Sequence, residues 1–314
     1  MTAEFHHIPI MLEETLALLS PQRGGVFVDG TLGGGGHAEA VLHRLPEGSR
    51  LYGIDRDGAA IAAASERLAP FGDRFTALRG NFFDMRELLA AQGVQGIAGI
   101  LLDLGVSSPQ LDTPERGFSY HEDAPLDMRM DACAPLSAYD VVNGYTSEQL
   151  FHIIRDYGEE RYASRVANAI IRAREAAPVT RTAQLAEIIK MAIPAANRRE
   201  GPHPARRTFQ ALRIEVNGEL AGLDAAIESA HDLLLPGGRL AVITFHSLED
   251  RIVKQAFKRF ETPCICDPRA PICTCGRQPT VRILTKKPVT AGEEELSRNP
   301  RARSAKLRGI EKLP

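Results

Sequence analysis

Over its first hundred residues the chain alternates between short apolar runs and segments with helical spacing. Residues 26–29, 51–55, 75–79 and 97–103 read as strands, the last of them apolar throughout. Between them, residues 37–45, 57–68 and 85–91 repeat apolar positions every three or four residues, and Asp57 is placed to cap the second of these helices. Continuous apolar strands separated by helices predict βαβ units, hence a parallel sheet covered on both faces. After about residue 113 the strand signal stops. Residues 147–157, 161–176, 183–193 and 206–216 are spaced as helices, with Pro178, Pro194, Pro202 and Pro204 between them. The α/β pattern then returns. An amphipathic helix over 220–235 is expected to stop at Pro236-Gly237-Gly238. A strand over 239–245 and a helix over 248–260 follow, then two closing strands, 281–286 and 304–310, expected at an antiparallel edge.

The fold class predicted is α/β: one Rossmann-like sheet domain built from residues 1–112 and 217–314, interrupted by an all-helical insert over 113–216. Composition agrees with a soluble globular chain, since 44% of the 314 residues are hydrophobic and 25% charged. The longest apolar runs, 97–104 and 240–245, are too short to cross a bilayer, and the N-terminus does not read as a signal peptide. No membrane partner is expected, and a cytoplasmic location is. The formal net charge of −2 excludes a general polycation. Between Arg161 and Arg213, however, eleven Lys or Arg stand against three acids, Glu175, Glu187 and Glu200. Such an excess either tracks phosphates or forms solvated helix faces.

Two places carry candidate chemistry. In Asp29-Gly30-Thr31-Leu32-Gly33-Gly34-Gly35-Gly36-His37, glycines lie between a strand and a helix, at the strand ends where open α/β sheets bind ligands. Asp55 ends the second strand, where a carboxylate can accept the two ribose hydroxyls of an adenosine. Gly33, Gly35 and Ala38 also fit G-x-G-x-x-A, so the turn alone does not separate S-adenosylmethionine from a nicotinamide dinucleotide. Phe82, after the third strand, is placed to lie against an adenine or to fill the core. The fourth strand ends in Asp103-Leu104-Gly105-Val106-Ser107-Ser108-Pro109-Gln110, whose polar groups suit the orientation of an aromatic amine beside a methyl donor. His246 and Ser247, after the fifth strand, fit either a target contact or a local hydrogen bond. The second place is the cluster Cys264, Cys266, Cys273 and Cys275. Four thiols can close a zinc site, although the one-residue gaps are tighter than usual, and a loop of reduced thiols without metal is the other reading.

Several strings together carry a resemblance. Asp29 to His37, Ile54-Asp55-Arg56-Asp57, Leu101 to Asp112, Glu115-Arg116-Gly117-Phe118-Ser119, Pro125 to Asp131, Tyr157 to Arg161, Arg207 to Ala211, Phe245 to Arg251 and Asn299 to Ser304 resemble the bacterial ribosomal RNA small subunit methyltransferase H (MraW) family. The resemblance implies a class I methyltransferase fold with a helical insert that helps to hold RNA. It implies methylation of the exocyclic N4 of a cytidine in the decoding region of 16S rRNA, with S-adenosyl-L-methionine as donor and the small ribosomal subunit as partner. The implied cofactor contacts are Gly34, Gly35, Gly36, His37, Asp55, Phe82, Asp103 and Gln110, with Asp103 also positioning the target amine. A homodimer is compatible with the family. One departure from related amino-methyltransferases stands out: Asp103 precedes Leu-Gly-Val and not Pro-Pro-Tyr. A stacking partner for the cytosine must then come from elsewhere, with Phe118, Tyr120 and Phe245 as candidates. A nicotinamide oxidoreductase and a catalytically silent RNA-binding protein are the competing readings.

Overall fold

The structure, a computed structural model, describes residues 9–198, 203–267, 272 and 274–314. The chain divides into two compact units, Met1–Gly105 with Leu220–Pro314, and Val106–Glu219. Residues 106–112 and 217–219 thus group with the helices of the second unit.

The first unit begins with helix α1 (Leu12–Leu19), followed by β1 (Val26–Asp29), α2 (Gly36–Arg44), β2 (Arg50–Asp55), α3 (Gly58–Leu68), β3 (Phe75–Arg79), α4 (Met85–Ala90) and β4 (Ile97–Asp103). The helical unit holds α5 (Ser108–Asp112), α6 (Ala138–Gly144), α7 (Ser147–Asp156), α8 (Ala163–Ala176), α9 (Thr182–Ala192) and α10 (Arg206–Asn217). The first unit resumes with α11 (Leu223–Leu233), β5 (Leu234–Thr244), α12 (Ser247–Glu261), β6 (Val281–Ile283), α13 (Glu293–Arg298) and β7 (Lys306–Lys312).

The strands form one seven-stranded sheet in the order β3-β2-β1-β4-β5-β7-β6. β1 to β5 run parallel, and β7 is antiparallel to β5 and β6. The uninterrupted apolar sequence of β1 and β4 has a direct cause. Val28, Ile100 and Leu102 face one core, with α4, α11 and α12, while Phe27 and Leu101 face the other, with α1, α2 and α3. Successive residues of a strand point to opposite faces, so burial of both faces leaves no polar position between them. In the helical unit a separate core gathers Val141, Leu150, Ile154, Val166, Ile170, Leu185, Ile189 and Leu212 from α6 to α10. Among the described residues no helix is long and apolar enough to cross a membrane.

The strand order has a consequence for ligands. From β1 the chain moves outward through β2 to β3, then returns to place β4 on the other side of β1. Connections therefore diverge above the carboxyl ends of β1 and β4, which is where a crevice opens in such sheets.

The fifth strand departs from its expected span. β5 begins at Leu234, ahead of Pro236-Gly237-Gly238, and not at residue 239. Leu234 pairs with Ile97, and the register then shifts before Arg239 pairs with Gly99. Gly237 takes φ +75°, and a Cβ on Gly238 would stand 2.9 Å from the Ile97 carbonyl oxygen. α11 ends at Leu233, ahead of the three residues expected to stop it, and these instead make a bulge inside the strand that follows. The last strands also shift: β6 is only Val281–Ile283, and β7 starts at Lys306 because Pro300–Ser304 winds as a 3₁₀ turn.

Candidate active site

Asp29, Asp55 and Asp103 are the final residues of β1, β2 and β4, so parallel pairing puts the three carboxyl groups at one edge of the sheet. The glycine turn lies beside them and is pinned to β2. Leu32 N–H donates to the Ile54 carbonyl at 3.0 Å, and Gly33 N–H donates to Asp55 Oδ2 at 2.8 Å. Asp55 Oδ1 accepts from Asp57 N–H at 2.8 Å, and Asp57 in turn caps α3 by accepting from Ala59 N–H at 3.0 Å. Asp55 is thus a hinge pin between the glycine turn and the start of α3. Burial raises its pKa, while the two backbone donors pull it down.

The glycines of the turn serve different ends. Gly33 and Gly35 take φ +49° and +78°, in the left-handed region that a side chain resists. A Cβ on Gly35 would also press on Ala64 and Leu68 at 3.3 Å, and one on Gly36 would meet Pro9 at 2.6 Å. Gly34 is the exception. It is exposed, and a Cβ there would meet no atom within 4 Å. Its backbone is the part of the turn open to a ligand.

Asp103 sits in a buried acidic corner. Its backbone N–H donates to Thr31 Oγ1 at 2.6 Å, and its Oδ2 lies 3.6 Å from Nε2 of His37 in the first turn of α2. Oδ1 is buried and accepts no hydrogen bond among the described residues. Burial, then the charges of Asp29 and Glu249, push the Asp103 carboxyl well above the usual carboxylate range. Asp29 is pushed up to about 7, mainly by burial and further by Asp55, with its Thr31 hydrogen bonds opposing. Both acids therefore resist ionisation, each chiefly through burial and each further through a neighbouring carboxylate.

The remaining candidates fall in several places. Phe82 follows β3, half-buried, with its ring edge-on to Phe83 at 4.7 Å, and it packs on the core beneath Gly30. His246 is a local residue. Its ring caps α12 by accepting from Glu249 N–H, and Glu249 Oε2 accepts from Phe245 N–H at 2.8 Å and His246 N–H at 3.2 Å. Gln110 belongs to the helical unit, where its side chain completes a capping box with Ser107 at the start of α5. Phe118 is buried in the core of that unit, and Tyr120 stacks on His203 at 4.7 Å between ring centres. Phe245, in the sheet unit, approaches Gly105. Sequence reasoning did not single out Asp29, Thr31 or Glu249 as site residues. Asp29 and Thr31 stand in the glycine-turn string without a role of their own there, and the part all three play comes from their proximity to Asp103, which no local pattern states.

The basic surface of the helical unit is narrower than its sequence implies. Arg161, Arg165, Arg172, Arg206 and Arg207 are exposed, the first two over the Tyr162 ring. Arg198 is instead spent on backbone, donating to the carbonyls of Ile193 at 2.6 Å and Met191 at 2.9 Å. Arg199 lies outside the described residues, as does Cys273. Cys264, Cys266 and Cys275 come together, their sulfur atoms all within 4.8 Å of one another.

A family model described as the MraW methylase family matches residues 4–313. The chain is 55% identical to the Ribosomal RNA small subunit methyltransferase H of Symbiobacterium thermophilum, an alignment covering 98% of this chain and 97% of that protein. It is 56% identical to the protein of that name from Geobacter sulfurreducens, over 98% of this chain and 99% of the relative. With the Pelobacter propionicus protein of that name it shares 55% identity, over 99% and 100% of the two chains.

Proposed function

The chain belongs to the MraW methylase family, and from that premise we propose that it transfers the methyl group of S-adenosylmethionine to the exocyclic N4 of a cytidine in the 16S RNA of the small ribosomal subunit. The name borne by its relatives supports a small-subunit ribosomal RNA substrate. The observation that carries the cofactor assignment is the acidic corner at the ends of β1 and β4. There Asp103 Oδ1 is buried without a hydrogen bond among the described residues, next to the charge of Asp29. A sulfonium cation relieves that repulsion. A nicotinamide dinucleotide instead brings two phosphate charges to a turn flanked by these acids, so the electrostatics favour the methyl donor.

The rest of the donor set fits the same group. Each oxygen of Asp55 takes one backbone N–H, and an ionised carboxylate has about four acceptor sites, so capacity remains for two ribose hydroxyls. Gly34 offers open backbone, with Gly35, Gly36 and His37 continuing the turn into α2. Phe82 completes the sheet unit's share of the cofactor contacts in this reading.

S-adenosylmethionine supplies a methyl group on a positively charged sulfur that departs as a neutral thioether. The work left to the protein is positioning. Asp103 accepts an N–H of the target amine and turns the nitrogen lone pair toward the methyl carbon. With the methyl donor bound, the amine's surplus proton would pass to the Asp103 carboxylate or to water as the methyl group is transferred and the neutral thioether leaves. The raised pKa of Asp103 makes its ionised form the better acceptor. A cytosine reaches such a corner only after leaving its stack, which is least costly in loop or single-stranded RNA. The exposed arginines of the helical unit supply phosphate contacts that hold the RNA in register.

Tritium transfer tests the reading. Labelled S-adenosylmethionine should mark small-subunit RNA with the wild-type chain and mark it far less with Asp103→Asn. Binding of that RNA with no label transferred would make the chain a silent RNA-binding protein. Calorimetric binding of NAD in place of S-adenosylmethionine would return the glycine turn to the dinucleotide reading.

A further inference from the structure

The cysteine cluster lies apart from the acidic corner and from the chemistry proposed there. Between the end of α12 and the start of β6, the described residues form neither helix nor strand. The neck of this segment is closed by a backbone hydrogen bond, Thr280 N–H to the Phe260 carbonyl at 3.0 Å. Among its described residues, Ile265 and Ile272 are 67% and 75% exposed, so their apolar side chains do little to hold it. Long connections without secondary structure are uncommon in compact domains unless something orders or employs them.

Cys264, Cys266 and Cys275 converge here. The Cys264 and Cys275 sulfurs are 3.8 Å apart although eleven residues separate them in sequence. Bonds of ~2.3 Å from zinc to sulfur set the edge of a tetrahedron at about 3.8 Å. A disulfide needs about 2.05 Å, so the two thiols are spaced as co-ligands and not as a bonded pair. The one-residue gap between Cys264 and Cys266 is no obstacle. The sulfurs of Cys264 and Cys266 do lie within 4.8 Å of one another. Cys266 has a further feature of a metal-binding thiolate: its sulfur accepts the Thr274 N–H at 3.4 Å. Backbone donors to sulfur offset thiolate charge and fix ligand orientation.

We infer that Cys264, Cys266 and Cys275 form a structural zinc site that pins the α12–β6 connection. Thiolates are soft donors, which favours zinc over the hard cations calcium and magnesium. The ion ties Cys264 to Cys275 across the connection.

The test uses the full-length chain, loaded with zinc under reducing conditions and desalted. Native mass spectrometry should show one zinc per chain. Cobalt as a probe should give sulfur-to-cobalt charge-transfer bands and the visible bands of tetrahedral coordination. Cys264→Ser and Cys275→Ser should each reduce retained zinc at least about tenfold. Cys133→Ser, outside the cluster, should retain it fully. Should a serine variant fail to fold, the cobalt spectrum of the wild-type chain decides alone. The bare-chain mass after zinc loading, a cobalt spectrum of octahedral oxygen ligation, or equal zinc loss in Cys133→Ser would each overturn the site.

Discussion

Asp29 is a carboxyl group whose behaviour the fold has altered most legibly. Its folded pKa of about 7 lies above the ordinary 3.8, so folding favours its protonated form. The stability gained is complete below the ordinary value and is lost as pH rises through about 7. Asp103 and Asp55 are shifted in the same direction and add to the trend. Without ligand, the melting temperature should therefore fall between about pH 4 and about pH 7, and Asp29→Asn should flatten that fall. An equal slope in the variant would remove Asp29 as its source. The turn beside it offers a second test at this scale. Gly35→Ala must hold a side chain at φ +78° against Ala64 and Leu68, a cost of about 1–2 kcal/mol before contacts are counted. Gly34→Ala meets open space, so its stability should be unchanged or raised by roughly 0.4–1 kcal/mol. Its affinity for S-adenosylmethionine should nonetheless fall, because the methyl group stands where backbone meets ligand. Thermal melts and calorimetry on the two variants should thus separate stability from binding. Full affinity in Gly34→Ala would remove that residue from the proposed site.

At the level of elements, helix starts set the geometry of the sheet edge. Asp57 caps α3 while its own N–H is held by Asp55, so one short segment fixes both the helix and the carboxylate above the glycine turn. Asp57→Ala should cost about 1 kcal/mol of stability in denaturant titrations. It should cost little S-adenosylmethionine affinity if Asp55 keeps its place through Gly33. A large affinity loss would mean that the cap, and not the glycine turn, sets the carboxylate. His246 does for α12 what Asp57 does for α3, and its cap holds Glu249 behind Asp103. The sequence at β5 illustrates the limit of local signals. Pro-Gly-Gly reads in the chain as a helix stop, but α11 ends before it, at Leu233, and its service as a bulge depends on Ile97 lying opposite.

For the whole molecule, a net charge of −2 conceals an uneven distribution. Exposed Arg161, Arg165, Arg172, Arg206 and Arg207 lie on the helical unit, while the buried acids gather at the sheet edge. RNA affinity should fall steeply with salt, log K declining linearly in log salt with a slope of roughly −0.7 per phosphate contact to single strands. Filter binding of small-subunit RNA at several salt concentrations measures that slope. Replacing Arg206 and Arg207 with alanine should make it shallower, whereas Arg198→Ala should act on stability through its lost backbone bonds. A slope unchanged in the double variant would move the RNA contact elsewhere.

The sequence by itself determined the alternation of strand and helix, the interruption by a helical segment, the glycine turn and the acids that end strands. All of these follow from local rules: side-chain period, φ restrictions and capping. Tertiary structure decided which strand ends share an edge, and so which acids meet. Asp29 and Asp103 lie far apart in the chain and become neighbours only because β4 pairs with β1. Glu249 adds its charge through α12, packed against the same sheet, and Cys275 reaches Cys264 across a folded connection. Burial and Coulomb energy depend on the neighbours in space, and the chain order does not state who those neighbours are.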